Sequence, residues 1–121
     1  MAKVGIPKEI KDNEYRVAIT LAGVKSLVSD GHTVYIEKNA GIGSGMTDDE
    51  YKAAGAKILP DAASVFGESD LILKVKEPQA QEVPMLRKGQ LLFTYLHLAA
   101  MPKLAHDLAK TGATCVAYET V

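Results

Sequence analysis

From Val4 to Tyr118, short apolar runs alternate with amphipathic segments, a pattern that suits a sheet covered by helices better than any all-helical or all-strand architecture. Leu91 to Leu96 is a near-continuous apolar stretch, of the kind buried on both faces of a parallel sheet. Val4 to Ile6 reads as the first strand, stopped by Pro7, and Thr33 to Glu37 as the second. Lys57 to Leu59 is a weak third, Asp70 to Val75 a stronger fourth, and Thr114 to Tyr118 the last. Between them, Thr20 supplies a cap for a helix over Leu21 to Ser29, whose Leu21, Val24, Leu27 and Val28 share one face and which Gly31 ends. Thr47 to Ala54 is expected to be helical, with Thr47 and Glu50 spaced as a capping box. Asp61 caps a helix through Phe66, and Met101 to Lys110 forms another that ends at Gly112. Gln79 to Leu86 fits either helix or loop. The strand-helix order, repeated about five times, predicts an α/β fold, a flavodoxin-like three-layer sandwich with a mainly parallel sheet.

A chain of 121 residues fits one domain with a single core. Its net charge of -1 gives no electrostatic reason to expect nucleic acid or an anionic membrane as partner. No apolar run approaches the ~20 residues of a membrane span, and the amino terminus carries no signal-peptide pattern. One cysteine, Cys115, allows no internal disulfide. A cytoplasmic protein is expected.

Right-handed crossovers align the carboxyl ends of parallel strands along one edge, and ligands of such sheets bind outside those ends. The first strand exits through Pro7-Lys8-Glu9 toward Tyr15 and Arg16, the fourth through Lys74-Val75-Lys76-Glu77-Pro78, and the fifth through Thr94-Tyr95-Leu96-His97. Arg16, Lys76 and His97 are thus delivered to one rim by separate strands. A guanidinium fork matches a carboxylate in bidentate geometry, an ammonium can polarise a carbonyl oxygen, and an imidazole can exchange a proton with it near neutral pH. That set suits a small oxo acid. Plainer accounts exist for each group. A loop arginine is usually solvated, and His97 can be a structural residue at a helix start. Lys74 and Lys76, two apart on a strand expected to be buried, would share a face; the plainer account is that the strand end is exposed and both ammonium groups reach water along their stems.

Gly41, Gly43 and Gly45 follow a strand and precede a helix, as a dinucleotide-binding loop does. The spacing differs, since G-x-G-x-x-G requires glycine where Met46 stands. Asp48, Asp49 and Glu50 would also repel a pyrophosphate at the next helix start. A turn feeding a capped helix is the better reading. Cys115 reads as core, and neither His32 nor His106 has neighbours suited to holding a metal.

The stretches Val4-Gly5-Ile6-Pro7-Lys8-Glu9 and Asn13-Glu14-Tyr15-Arg16-Val17-Ala18 resemble the opening of alanine dehydrogenases and the related proton-translocating transhydrogenases. Asp70 to Pro78 looks like the lysine motif of the dehydrogenases, and Phe93 to Ala99 like their histidine motif. Transhydrogenases typically lack a histidine at the place of His97, so that residue favours the dehydrogenase. The resemblance implies that Arg16 holds the substrate carboxylate, that Lys76 contacts its carboxylate and carbonyl oxygen, and that His97 is the catalytic acid and base on the carbinolamine intermediate. Tyr95 and Glu119 take supporting roles. It further implies NAD-dependent oxidative deamination of L-alanine to pyruvate and ammonium, by a homo-oligomer that is commonly hexameric among relatives. Leu21 departs from the proline often found there. Residues 1–121 correspond to the substrate (catalytic) domain segment, and the Rossmann domain that binds NAD in the family lies outside it. The segment alone is therefore expected to be inactive and to expose apolar surface that favours self-association. Two other readings are a transhydrogenase alpha-type segment and a non-catalytic oxo-acid binding module.

Overall fold

The computed structural model describes residues 2–11, 14–94 and 109–117. Its elements run β1 (Lys3–Ile6), α1 (Leu21–Ser29), β2 (Thr33–Glu37), α2 (Asp48–Ala53), β3 (Lys57–Leu59), α3 (Ala62–Glu68), β4 (Leu71–Leu73), β5 (Leu91–Thr94) and β6 (Thr114–Ala117), with short 3-10 turns at Ile42–Ser44 and Val83–Met85. The strands form one sheet in the order β3-β2-β1-β4-β5-β6, and every pairing is parallel. Winding reverses between β1 and β4, so the crevice at their carboxyl ends is the topological switch point at which doubly wound sheets bind ligands. Most of the helix expected over Met101–Lys110, and the residues beyond Thr94 and Ala117 in the expected strands, lie outside the described residues.

Helix ends fall where side chains can satisfy the unpaired backbone donors of the first turn. The Thr20 hydroxyl accepts from the Gly23 amide, and Asp61 accepts from the Ser64 amide. Thr47 and Glu50 form the expected capping box in full, each side chain bonding to the other's backbone N–H. Leu21 at the first position of α1 leaves the cap intact.

Register divides the core into two layers. Val4 and Ile6 stand beside Val34 and Ile36 on one face, and there they pack with Val24 of α1 and Tyr51 of α2. The Tyr51 hydroxyl, carried into this layer, donates to the Ile19 carbonyl at 2.8 Å. Ile72, paired with Gly5, lies on the opposite face with Val65 and Phe66 of α3, and Leu92 joins them. Helices therefore cover both faces, giving the expected three layers. Among the described residues, no helix is long and apolar enough to cross a membrane.

The fourth strand is shorter than its hydrophobic pattern suggests, covering Leu71–Leu73 in place of Asp70–Val75. The alternation that would set Lys74 and Lys76 on one face has therefore ended before either is reached. Gln79 to Leu86, open between helix and loop, contains the 3-10 turn Val83–Met85, with Pro84 inside it.

Close approach of α3 to β1 depends on Gly5. A Cβ there would lie 2.1 Å from Ser69 Oγ and 2.9 Å from Val65 Cγ1, while that Ser69 hydroxyl donates to the Val65 carbonyl at 2.6 Å. Gly5→Ala is expected to push α3 off the sheet and lower stability by about 1–3 kcal/mol, the range of overpacked cores. Urea unfolding monitored by circular dichroism checks this; an unchanged midpoint would contradict the packing described.

Candidate functional site

Buried charges concentrate at the β1–β4 switch point. Glu9 leaves β1, turns inward and is buried. Its Oε1 accepts from Lys74 Nζ at 3.0 Å and from the Lys76 amide at 3.2 Å, while Oε2 accepts from the Val75 amide at 3.0 Å. The Lys74 ammonium also lies 3.1 Å from Glu82 Oε2, out of line for a well-formed hydrogen bond but close for an ion pair. Lys74 is 1% exposed. This corrects the account in which both lysines reach water: Lys74 is enclosed because two carboxylates neutralise it, whereas Lys76 is half-buried. Two carboxylates face one ammonium here, and burial raises the Glu82 pKa, with the Lys74 charge opposing and the Glu9 charge adding to the rise.

The same edge is stitched laterally. The Lys8 amide donates to Glu37 Oε1 at 2.8 Å, joining the ends of β1 and β2. Burial raises the Glu37 pKa, and the Glu82 charge contributes. Lys11 forms an ion pair with buried Glu77, joining the β1 and β4 loops again. From β5, the Thr94 hydroxyl donates to the Lys76 carbonyl at 2.6 Å. Lys76 thus has its N–H held from β1 and its C=O held from β5.

Arg16 lies farther along the loop that leaves β1. Its Nε donates to Glu14 Oε2 at 2.9 Å and its Nη2 to Glu14 Oε1 at 2.8 Å, a bidentate fork, and its own amide adds a bond to Oε2 at 2.9 Å. The Glu14 pKa falls to about 2, chiefly through the Arg16 side-chain hydrogen bonds; partial burial opposes the shift, and the Lys76 charge contributes to it. Glu14 is thus a carboxylate within the fields of both predicted substrate-binding cations. Arg16 grips Glu14 directly, while Lys76, far away in the chain, bears on it only as the smallest electrostatic contribution. His97, Tyr95 and Glu119 lie outside the described residues.

Arg16, Glu14, Lys8 and Lys11 line a cleft of about 430 Å3 whose far wall is Asn39, Ala40, Ile42 and Gly43. The exposed large apolar side chains Ile10, Tyr15 and Ile42 all line it. The glycine-rich turn forms that far wall, where backbone meets backbone. A Cβ on Gly43 would lie 2.7 Å from the Tyr15 carbonyl, which accepts instead from the Ser44 hydroxyl at 3.1 Å. The start of α2 is occupied by its own side chains, Thr47 and Glu50 in the capping box, with Asp48 accepting from the Asn39 amide. A pyrophosphate does not fit an N-terminus so filled with carboxylates. The turn supports the Arg16 segment.

Sequence reasoning singled out Arg16 and Lys76 but missed Glu9, Glu14 and Glu82. The signal for Glu9 was present. A lysine at the end of a buried strand needs a carboxylate partner, and Glu9 leaves the neighbouring strand.

Lys74→Met would leave Glu9 and Glu82 buried without their cation, so a loss of ~3–5 kcal/mol is expected, measurable by urea unfolding; a loss under about 1 kcal/mol would mean the carboxylates are not ionised there. For Glu14, the folded pKa is depressed from 4.5 to about 2. Its stabilising contribution is therefore present above pH 4.5 and disappears as pH falls through about 2. Carboxyl carbon NMR should find that low midpoint, and Arg16→Met should return it toward 4.5.

A family model described as alanine dehydrogenase/PNT, N-terminal domain, matches residues 5–121. Alanine dehydrogenase of Methanococcus maripaludis is 57% identical over 118 residues, covering 98% of this chain and 32% of that protein. Alanine dehydrogenase of Bacillus subtilis is 52% identical over 118 residues, covering 98% and 31% respectively. A solved L-alanine dehydrogenase matches with a TM-score of 0.94 at 47% identity, over 97% of this chain and 32% of that one. A transhydrogenase from Sinorhizobium meliloti gives 0.90 at 38% identity, over 97% and 35%. The chain spans about a third of the length of these relatives. With nearly its whole length matched in sequence and in fold, the chain belongs to the alanine dehydrogenase/PNT N-terminal domain family.

Proposed function

We propose that this chain is the substrate-binding segment of an alanine dehydrogenase, a cytoplasmic NAD-dependent enzyme that interconverts L-alanine with pyruvate and ammonium. The observation that supports the reading is the Arg16 guanidinium fork on the Glu14 carboxylate in the cleft beside the β1 exit, a carboxylate on which the Lys76 charge also bears. A site that already holds the Glu14 carboxylate in a guanidinium fork has the chemistry to recognise the carboxylate of a small oxo acid. Arg16 takes the substrate carboxylate, and Lys76 places positive charge at the carbonyl oxygen, where electron density grows as ammonia adds to the carbon to give the carbinolamine. His97, by its resemblance to the family's histidine motif, moves the proton at that oxygen, with Tyr95 and Glu119 in support. NADH would supply the hydride for reduction, and NAD would accept it from alanine in the reverse direction, held by a Rossmann domain such as the family carries; the glycine-rich turn of this segment does not suit it. A homo-oligomer, hexameric as is common among relatives, belongs to the same reading.

The test joins this segment to a nucleotide-binding domain of the family and follows NADH oxidation with pyruvate and ammonium. Arg16→Lys keeps the charge but loses the planar fork, and is expected to raise the KM for pyruvate about tenfold. His97→Ala is expected to lower kcat by about 10²–10⁴. Turnover of other amino acids but not alanine would refute the substrate. Hydride exchange between NADH and an NADP analogue, without pyruvate turnover, would favour the transhydrogenase reading suggested by the Sinorhizobium meliloti relative.

A further inference from the structure

The reach of Lys76 into the site is set by a backbone that belongs to no regular element. β4 stops at Leu73, and Lys74 to Gln79 lies outside helix or strand. Such a segment, left to itself, samples many backbone conformations, and each would carry the Lys76 ammonium elsewhere. Glu9 holds three donors from three consecutive residues, Lys74 Nζ and the amides of Val75 and Lys76. A carboxylate is the side chain suited to this. It offers two acceptor oxygens and no donor, whereas an amide must turn its NH₂ toward one of those donors. Glu9 is itself 6% exposed, so water does not replace what it provides. The Thr94 hydroxyl closes the hold at the Lys76 carbonyl.

We propose that Glu9 is a positioning residue for Lys76, with Thr94 as its counterpart from β5: a buried carboxylate whose oxygens are taken up by Lys74, Val75 and Lys76 fixes the loop from which the substrate-binding ammonium projects. This rests on the reading of Lys76 as a substrate contact. The buried Lys74 belongs to the device, because its ammonium shares Oε1 of Glu9 with the Lys76 amide and offsets the carboxylate charge inside the fold. Glu82 serves the Lys74 end of the arrangement and the Gln79 amide. Changing it alters the local charge without touching the Lys76 backbone.

That asymmetry defines the experiment, made on the complete enzyme that carries this segment. KM for pyruvate, KM for NADH and kcat are measured for Glu9→Gln, Thr94→Val, Glu82→Gln and Lys76→Ala. Misplacing a substrate contact by about an ångström can cost as much as 10²-fold, so Glu9→Gln is expected to raise the KM for pyruvate about tenfold or more. Thr94→Val should raise it several-fold in the same direction, and the KM for NADH should stay within about twofold in both. Glu82→Gln should leave the KM for pyruvate within about twofold. Should Glu9→Gln fail to fold, Thr94→Val decides alone. Equal effects of Glu82→Gln and Glu9→Gln, or an unchanged KM for pyruvate in Thr94→Val, overturn the positioning role. Lys76→Ala separates the two levels: if it binds pyruvate normally, the reading of the site itself fails, whereas loss of binding there with normal Glu9→Gln and Thr94→Val overturns only the role given to Glu9 and Thr94.

Discussion

The backbone that carries Lys76 depends on one buried carboxylate, Glu9, and on the ion cluster in which it sits. Taking Lys74, Glu9 and Glu82 out of water is costly, and Coulomb attraction offsets this only when the geometry is good and the remaining lone pairs are used. Here they are used. Glu9 accepts two backbone amides in addition to the Lys74 ammonium, and Glu82 accepts the Gln79 amide. The cluster therefore carries information about backbone shape as well as charge. An apolar replacement could fill the same volume with equal stability, but it could not hold the chain between β4 and the turn at Val83–Met85 in one conformation. Retaining ions in a core makes sense where the gain is a fixed loop.

The glycine-rich turn illustrates how a motif's surroundings decide its meaning. Strand, glycines and helix occur in the order that a dinucleotide loop uses, and the eye completes the pattern. Yet the glycines here admit a neighbouring backbone, and the helix beyond them already satisfies its first turn with its own acidic residues. The requirement for no side chain at Gly43 comes from the Tyr15 carbonyl. Because Tyr15 immediately precedes Arg16, the turn acts on the site by seating that segment.

Secondary structure was legible wherever a cap marked a boundary. Thr20, Thr47 and Asp61 start their helices in the structure as their side-chain chemistry predicts. The β4 strand was overestimated because the sequence pattern continues through Val75 while the hydrogen-bonded ladder does not, its place at Lys76 being taken by a side-chain carboxylate from the β1 exit. Strand order, too, is not written in local pattern; it is decided by which faces must be buried once all the strands are present. Near the ligand edge, Arg16 and Lys76 could be singled out as candidates because they follow strand exits. Their carboxylates could not, because Glu9 and Glu14 look like ordinary loop acids until the fold brings Lys74 inward and Arg16 within reach.

The Arg16–Glu14 fork places a constraint on any anion that enters. Glu14 is ionised throughout the ordinary pH range, with its pKa near 2, so the cleft wall presents a carboxylate alongside its cations. A bound acid must share or exchange the guanidinium with that resident group. Lys76 then becomes the balancing charge: its ammonium already contributes to holding Glu14 ionised, and the same positive charge can answer the negative charge a substrate brings. A site organised in this way gives the Arg16 guanidinium a bidentate partner in the absence of ligand.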